Sequence, residues 1–259
     1  MFNLVKYDVK SYYKDFIIMI CAMVLLNLAL SIKINNWGPD AILGLSMAIS
    51  FVAGIVAIIW NVRVFSRDMY EDTGYLLFTT PKSGYTILGS KVITSIVQVL
   101  AVAVVSLISI LIWINILKVT SGFVFDVRRI FDLVIKNLSA SFIILSILGS
   151  FVIYMIFLLT VYLAITLSKV AIKNKKFGKV GSFVIFIILA VVEGKLQDIL
   201  MKLFPQTLKL SVVSSKAKDL FITSNDFIDV NVSLVISSIV IMVVTFWITA
   251  YLLENKLDL

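Results

Sequence analysis

Long apolar stretches alternate with short charged segments along the whole chain. A helix needs about 20 apolar residues to cross about 30 Å of hydrocarbon. The fifth stretch is shorter than this, but apolar residues at helical spacing resume after Glu193 and Lys195, so a re-entrant or amphipathic segment is expected there, ending near Pro205. The pattern predicts six transmembrane helices, and their approximate bounds are 16–32, 41–62, 92–117, 138–168, 180–196 and 230–253.

The first fifteen residues have a different pattern, that of an amphipathic helix. Apolar residues recur every three or four positions from Phe2 to Phe16, while Lys6, Lys10 and Lys14 recur every four positions on another face. A helix of this kind lies in the membrane interface, with its apolar face down and its lysines among the headgroups. We therefore predict an interfacial helix over residues 1–15.

Composition supports a membrane protein with a single domain over residues 1–259. The chain is 61% hydrophobic and only 15% charged, with a mean hydropathy of +1.07, whereas soluble domains are about 45–50% apolar and about 25% charged. It has no histidine, the commonest general base and metal ligand, and its one cysteine allows no internal disulfide. No predicted span has a carboxylate in its middle, which argues against a membrane enzyme.

The net charge of +8 is interpreted through the membrane rather than through nucleic acid as a partner. Basic residues at helix ends contact anionic headgroups of the lipid bilayer and set topology. The segment 169–179 carries five lysines, against one basic residue in the segment 33–40. Placing the lysine-rich segment in the cytoplasm predicts that both termini and the loop 63–91 are cytoplasmic as well.

The loop 63–91 carries more pattern than a plain connection needs. A charged cluster from Arg67 to Asp72 alternates with aromatic and aliphatic residues, Pro81 cannot continue a helix, and Ser83 is suited to cap the next one. We predict a short cytoplasmic helix over 67–79, followed by a turn. From periodicity alone, such a helix could equally dock into a groove on a partner protein or anchor the loop to headgroups.

A set of residues across this loop carries a resemblance to a known family: Phe65, Arg67, Asp68, Glu71, Gly74, Leu76, Leu77, Thr80, Pro81, Ser83, Ile87, Leu88, Ser90 and Lys91. Together they resemble the signature of the permeases of ABC exporters of the second class (type 2). Those permeases place an acidic and basic cluster before Gly, two leucines, a Thr-Pro or Leu-Pro pair, Ser, and a Lys at the start of the third span. Two positions depart from the commoner pattern, Asp68 in place of Glu and Lys82 after the proline.

The resemblance implies an ATP-driven exporter whose permease holds no cofactor itself. No G-x-x-x-x-G-K-[ST] phosphate loop occurs in the chain, so ATP and Mg would sit on a separate ATPase subunit, present in two copies. A second permease chain, identical or sibling, would complete the pathway. The implied ATPase-docking (coupling) helix would use Arg67, Asp68, Glu71, Asp72, Gly74, Tyr75 and Leu76.

Two further expectations concern the second half of the chain and the function as a whole. Glu193 and Lys195 are candidate outer-gate residues by resemblance, and the alternative, which the residues themselves favour, is that they mark the interfacial end of a span. The substrate is expected to be hydrophobic or amphipathic, with a peptide as one candidate, and the location a bacterial-type plasma membrane. The alternative function is a non-transporting membrane sensor, immunity or assembly protein, whose loop would not need the 65–91 pattern.

Overall fold

The computed structural model describes residues 2–34, 36–70, 83–121, 138–171, 175–211 and 227–255. Its elements in chain order are α1 (Phe2–Ala29), a 3-10 turn (Leu30–Lys33), α2 (Pro39–Tyr70), α3 (Gly84–Ser121), α4 (Ala140–Ala171), α5 (Lys175–Leu203), β1 (Thr207–Ser211), β2 (Phe227–Asn231) and α6 (Val232–Asn255). They form two compact units. The first contains α1, α2 as far as Asp68, and α3; the second contains the end of α2 from Met69, together with α4, α5, α6 and both strands.

In the first unit, α1 packs along α3. A buried apolar cluster of Met23, Ala53, Ala57 and Val102 joins α1, α2 and α3. A polar pair is buried in the same unit, where Asn27 accepts a hydrogen bond from the Ser46 hydroxyl (2.7 Å) and donates to the Met23 carbonyl (3.0 Å). Polar groups inside a membrane are tolerated when they satisfy each other in this way.

In the second unit, α4 packs against both α5 and α6, and these two helices also contact each other. Every residue of α4 from 158 to 166 is buried, so this part of the helix is enclosed on all sides. Phe157 of α4 meets Phe186 of α5 edge to face, with ring centroids 5.8 Å apart. The second unit is thus organised around the C-terminal half of α4.

A pair of short antiparallel strands departs from the all-α prediction. Residues of β1 and β2 pair in a simple register, from Thr207 opposite Asn231 to Ser211 opposite Phe227. The β2 strand leads directly into α6, and the Val232 N–H donates to the Gln206 carbonyl (3.0 Å). This small element lies in the region where the sequence predicted only the end of a re-entrant segment.

Five helices of the described ranges are long and apolar enough to cross a membrane, and they cover Tyr13–Lys33, Pro39–Tyr70, Gly84–Thr120, Ala140–Ala171 and Val232–Asn255. Large apolar side chains on these helices are widely exposed, as expected where lipid rather than water surrounds them. The protein is therefore a multi-pass membrane protein built almost wholly of α-helices. The sixth predicted span, 180–196, stays a prediction.

Two boundaries differ from the sequence prediction. The predicted interfacial helix and the first span form one continuous helix, α1, because the sequence from Phe2 to Ala29 has no glycine or proline to break it. Likewise, α5 continues without interruption through Glu193 and Lys195, where a break before a re-entrant segment was predicted. Charged residues at these positions lie on a regular helix and do not end it.

Candidate functional site

A buried cluster of three charged residues joins the three helices of the first unit. The Lys91 ammonium on α3 donates to Asp8 Oδ1 on α1 at 2.6 Å and also to Asp68 Oδ2 on α2. All three residues are less than 10% exposed. We name Asp8, Asp68 and Lys91 the ion cluster.

Local sequence places each member of the ion cluster. Asp68 lies in the last turn of α2, and Lys91 lies two turns after the start of α3. That start is at Gly84, with Ser83 in the N-cap position; the Ser83 carbonyl accepts from the N–H groups of Thr86 (2.9 Å) and Ile87 (3.2 Å). The Ser83 hydroxyl bonds to the Thr86 hydroxyl (2.9 Å), so the predicted cap position is confirmed, with a side-chain partner on Thr86.

Further hydrogen bonds support the cluster. The Ser90 hydroxyl donates to the Ile87 carbonyl (2.7 Å) and lies 3.4 Å from Asp8 Oδ2. The Thr94 hydroxyl donates to the Ser90 carbonyl (2.9 Å). These bonds fix the first turns of α3 and thereby the position from which Lys91 reaches both carboxylates.

The opposite charges of the ion cluster attract one another, whereas removing these charged groups from water costs free energy. A lysine ammonium has three donors and here gives two of them to carboxylates. Burial raises the pKa of Asp8 above its ordinary value of 3.8, while the nearby Lys91 charge acts to lower it. Two carboxylates share one cation, so removing Lys91 would leave both desolvated and facing each other.

The positions of Asp8, Asp68 and Lys91 along the chain relate the ion cluster to the predicted cytoplasmic loop. Asp68 and Lys91 both belong to the predicted cytoplasmic loop 63–91. Asp68 lies near the start of the coupling helix predicted over 67–79, and Lys91 is the last residue of the loop. Asp8 comes from the N-terminal helix, α1. The Lys91 ammonium therefore joins the two described ends of the loop 63–91 to α1.

Not every predicted docking residue falls within the described part of the chain. Arg67 and Asp68 lie on α2, whose helix extends to Tyr70. Arg67 borders a small recess with Asp15, Trp60 and Arg63. The remaining predicted docking residues, Glu71, Asp72, Gly74, Tyr75 and Leu76, lie outside the described residues, and their role stays a prediction.

Asp8 was missed by sequence reasoning. The N-terminal helix was interpreted from its lysines and its apolar face. Asp8, between Lys6 and Lys10 in sequence, lies on the opposite side of the helix from the basic stripe. An acidic residue on an otherwise basic interfacial helix was the available signal. The sequence could not identify Lys91 as the partner of Asp8, because the two residues are 83 positions apart and meet only when the helices pack.

Tyr70, the last residue of α2, belongs to the second unit. The Tyr70 hydroxyl donates to the Gly178 carbonyl (2.9 Å), which also accepts from the Ser168 hydroxyl (2.6 Å). The Lys169 ammonium lies 5.8 Å from the centroid of the Tyr70 ring, within cation–π range. Tyr70 is 3% exposed, so the last residue of α2 is buried against the end of α4 and the start of α5.

Glu193 and Lys195 are not brought together as a pair in the second unit. Both oxygens of Glu193 accept from the Thr160 hydroxyl, at 2.9 and 3.1 Å, across the α4–α5 contact. Lys195 is exposed. The Glu193 carboxylate thus takes part in helix–helix packing, while its role at an outer gate remains a prediction.

The described residues do not form a metal centre, since no three His, Cys, Asp or Glu side chains converge among them. Comparison of the chain with models of protein families, with curated proteins and with solved structures gave no match. The function must therefore be argued from the residues and their geometry.

Proposed function

We propose that this chain is the transmembrane subunit of an ATP-driven ABC exporter of the type-2 class. The observation that carries the proposal is the ion cluster, which joins Asp68, near the start of the predicted coupling helix, to Lys91 on α3 and through it to Asp8 on α1. A segment that receives force from an ATPase needs such attachment, because a loosely held loop would move without displacing the membrane helices.

In this proposal, the work of the transporter is divided between chains. Two ATPase subunits bind ATP and Mg, close on them, and push on the coupling helix. The charge-assisted hydrogen bonds of Lys91 to Asp8 and Asp68 are about twice as strong as neutral ones, so the push passes to α1, α2 and α3 together. Two permease chains, as a homodimer or with a sibling, then alternate between inward-open and outward-open states.

The apolar helices favour a hydrophobic or amphipathic substrate, and a peptide fits this description. Both termini and the loop 63–91 would face the cytoplasm of a bacterial-type plasma membrane, as the lysine-rich segment 169–179 predicts. Within the coupling helix, Glu71 and Asp72 would pair with basic residues of the ATPase groove, and Tyr75 and Leu76 would fill it. The lipid bilayer and the ATPase are the partners, and nucleic acid is not one.

The alternative is a membrane sensor, immunity or assembly protein that transports nothing. Such a protein would also need a folded set of spanning helices, and its ion cluster would serve stability alone. It would have no need of an ATPase. Binding of an ATPase therefore separates the two functions.

The test is co-expression with the ATPase encoded nearest to this chain, followed by purification in mild detergent. We expect the ATPase to co-purify with the unaltered chain and with Glu254→Lys, a control charge reversal at an exposed residue on α6. The double change Glu71→Lys and Asp72→Lys should weaken binding by about 30-fold, since a reversed charge in a close pair costs about 2 kcal/mol or more.

Each outcome has a distinct meaning. If no ATPase co-purifies with the unaltered chain, the transporter proposal fails and the sensor or immunity function takes its place. If the ATPase binds equally to the double variant, the exporter proposal stands but the docking residues were assigned wrongly. Transport that stays undiminished in the double variant would lead to the same correction.

A further inference from the structure

An apolar groove lies between α1 and α2 within the first unit. Its volume is about 580 Å³, within the range of about 300–1,000 Å³ that small-molecule sites occupy. Small side chains at Ala22, Ala48 and Ala53 leave this space open between the larger residues. Every lining residue is apolar except Asp15 and the indole N–H of Trp60.

The groove has one polar end. Trp60 closes it, and its indole N–H is buried and has no hydrogen-bond acceptor among the described residues. The Arg63 guanidinium lies over the Trp60 ring, 5.3 Å from its centroid. Arg63, Arg67 and Asp15 border the adjoining recess, so two cations and one carboxylate surround an unused donor.

We propose that this groove binds an anionic phospholipid, with an acyl chain along α1 and α2 and the phosphate at Trp60 and Arg63. The groove runs along α2 from Leu45 to Trp60, a length of about 22 Å at 1.5 Å per residue. One leaflet of hydrocarbon is about 15 Å thick, so an acyl chain fits within this length. The Trp60 N–H and the Arg63 guanidinium both donate to phosphate oxygens.

The polarity of the groove favours a lipid over other occupants. A phospholipid is apolar along its chains and negatively charged at one end, as the groove is apolar along its length and has an excess of cations at one end. The topology predicted from the lysine-rich segment puts this end at the cytoplasmic leaflet, where anionic lipids attract basic residues. The inference is separate from the exporter proposal and does not depend on it.

The test uses vesicles of phosphatidylcholine that contain purified protein and a minor fraction of lipid with brominated acyl chains, which quench nearby tryptophans. Quenching of Trp60 is the difference between the unaltered chain and Trp60→Phe. We expect brominated phosphatidylglycerol to compete for the site about fivefold better than brominated phosphatidylcholine, the preference that one arginine contact provides.

Two variants, each with a matched control, show whether the lipid preference comes from Arg63 and from the groove. Arg63→Gln should make both lipids equal, while Lys118→Gln, at an exposed lysine elsewhere in the unit, should leave the preference intact. Ala22→Phe with Ala48→Phe fills the groove and should abolish the excess quenching. Ala103→Phe adds the same bulk at an exposed position on α3 outside the groove lining and should not.

Three results would overturn the proposal. Equal quenching by both lipids in the unaltered chain would mean that no selective site exists. A preference that survives the groove-filling variant would place the lipid on the general basic surface. Efficient disulfide formation between two copies of an Ala48→Cys variant in a Cys21→Ser background would show that a second copy of the chain covers the groove.

Discussion

Replacing Lys91 by methionine would test the ion cluster directly. Lys91→Met keeps a long, flexible and largely apolar side chain but removes the ammonium that neutralises Asp8 and Asp68, which are 9% and 8% exposed. Removing one partner of a buried ion pair costs about 3–5 kcal/mol, because the remaining charge is left desolvated. At about 2–4 °C per kcal/mol for a chain of this size, the apparent Tm should fall by about 6–20 °C.

The assay is size-exclusion chromatography with fluorescence detection after heating in mild detergent. Lys118→Met is the matched control, since Lys118 is an exposed lysine at the other end of α3, and its Tm should change little. Adding Asp8→Asn and Asp68→Asn to Lys91→Met should recover part of the loss by removing the uncompensated charges. If Lys91→Met lies within about 2 °C of Lys118→Met, roughly 1 kcal/mol, the cluster does not hold the helices together.

Two other predictions follow from the same geometry. Gly178→Ala should lower the apparent Tm by about 2–12 °C, since overpacking costs about 1–3 kcal/mol. The new Cβ would lie 2.7 Å from Tyr70 Cε1, on a ring that is held by its own hydrogen bond. The control Gly149→Ala, whose Cβ would have nothing within 4 Å, should not lower the Tm, and equal effects of the two changes would contradict the contact. The pKa of Asp8 is raised in the fold, so its contribution to stability is fully present below pH 3.8 and is lost as the pH rises through the raised pKa. As the pH falls, the Tm of the unaltered chain should therefore rise relative to that of Asp8→Asn. Parallel profiles of Tm against pH for the two proteins would contradict this.

The sequence predicted the spanning helices well because their cause is local. A run of about 20 apolar residues satisfies its backbone only as a helix in a bilayer, so α2, α3, α4 and α6 could be placed from hydropathy alone. Boundaries were harder. Glu193 and Lys195 suggested a break, yet a charged residue on a regular helix needs only a polar neighbour, and Thr160 supplies one for Glu193.

The partners across helices could not be predicted, because periodicity gives the face of a side chain and not the residue opposite. Asp68 and Lys91 were both noted in the loop pattern, but their common contact with Asp8 depends on how α1 packs along α3. Tyr70 and Gly178 are 108 residues apart, and nothing local links them. The β1–β2 pair was missed for the same reason, since its two strands are short and separated in sequence.

Whether the ion cluster serves transport or only stability can be decided by replacing all of it at once. Buried ion pairs are often no more stable than apolar residues of similar volume, and replacing a whole triad can gain about 1–4 kcal/mol. The triple variant Asp8→Leu, Asp68→Leu and Lys91→Met should therefore keep or exceed the original Tm. If the cluster transmits force from the coupling helix, the same variant should transport poorly, because apolar contacts lack the directionality of charge-assisted hydrogen bonds. It should still bind the ATPase through the other predicted docking residues, since Asp68 is buried against Lys91. A variant that is stable and fully active in transport would show that the cluster is a packing solution alone, and the argument from attachment to export would fail.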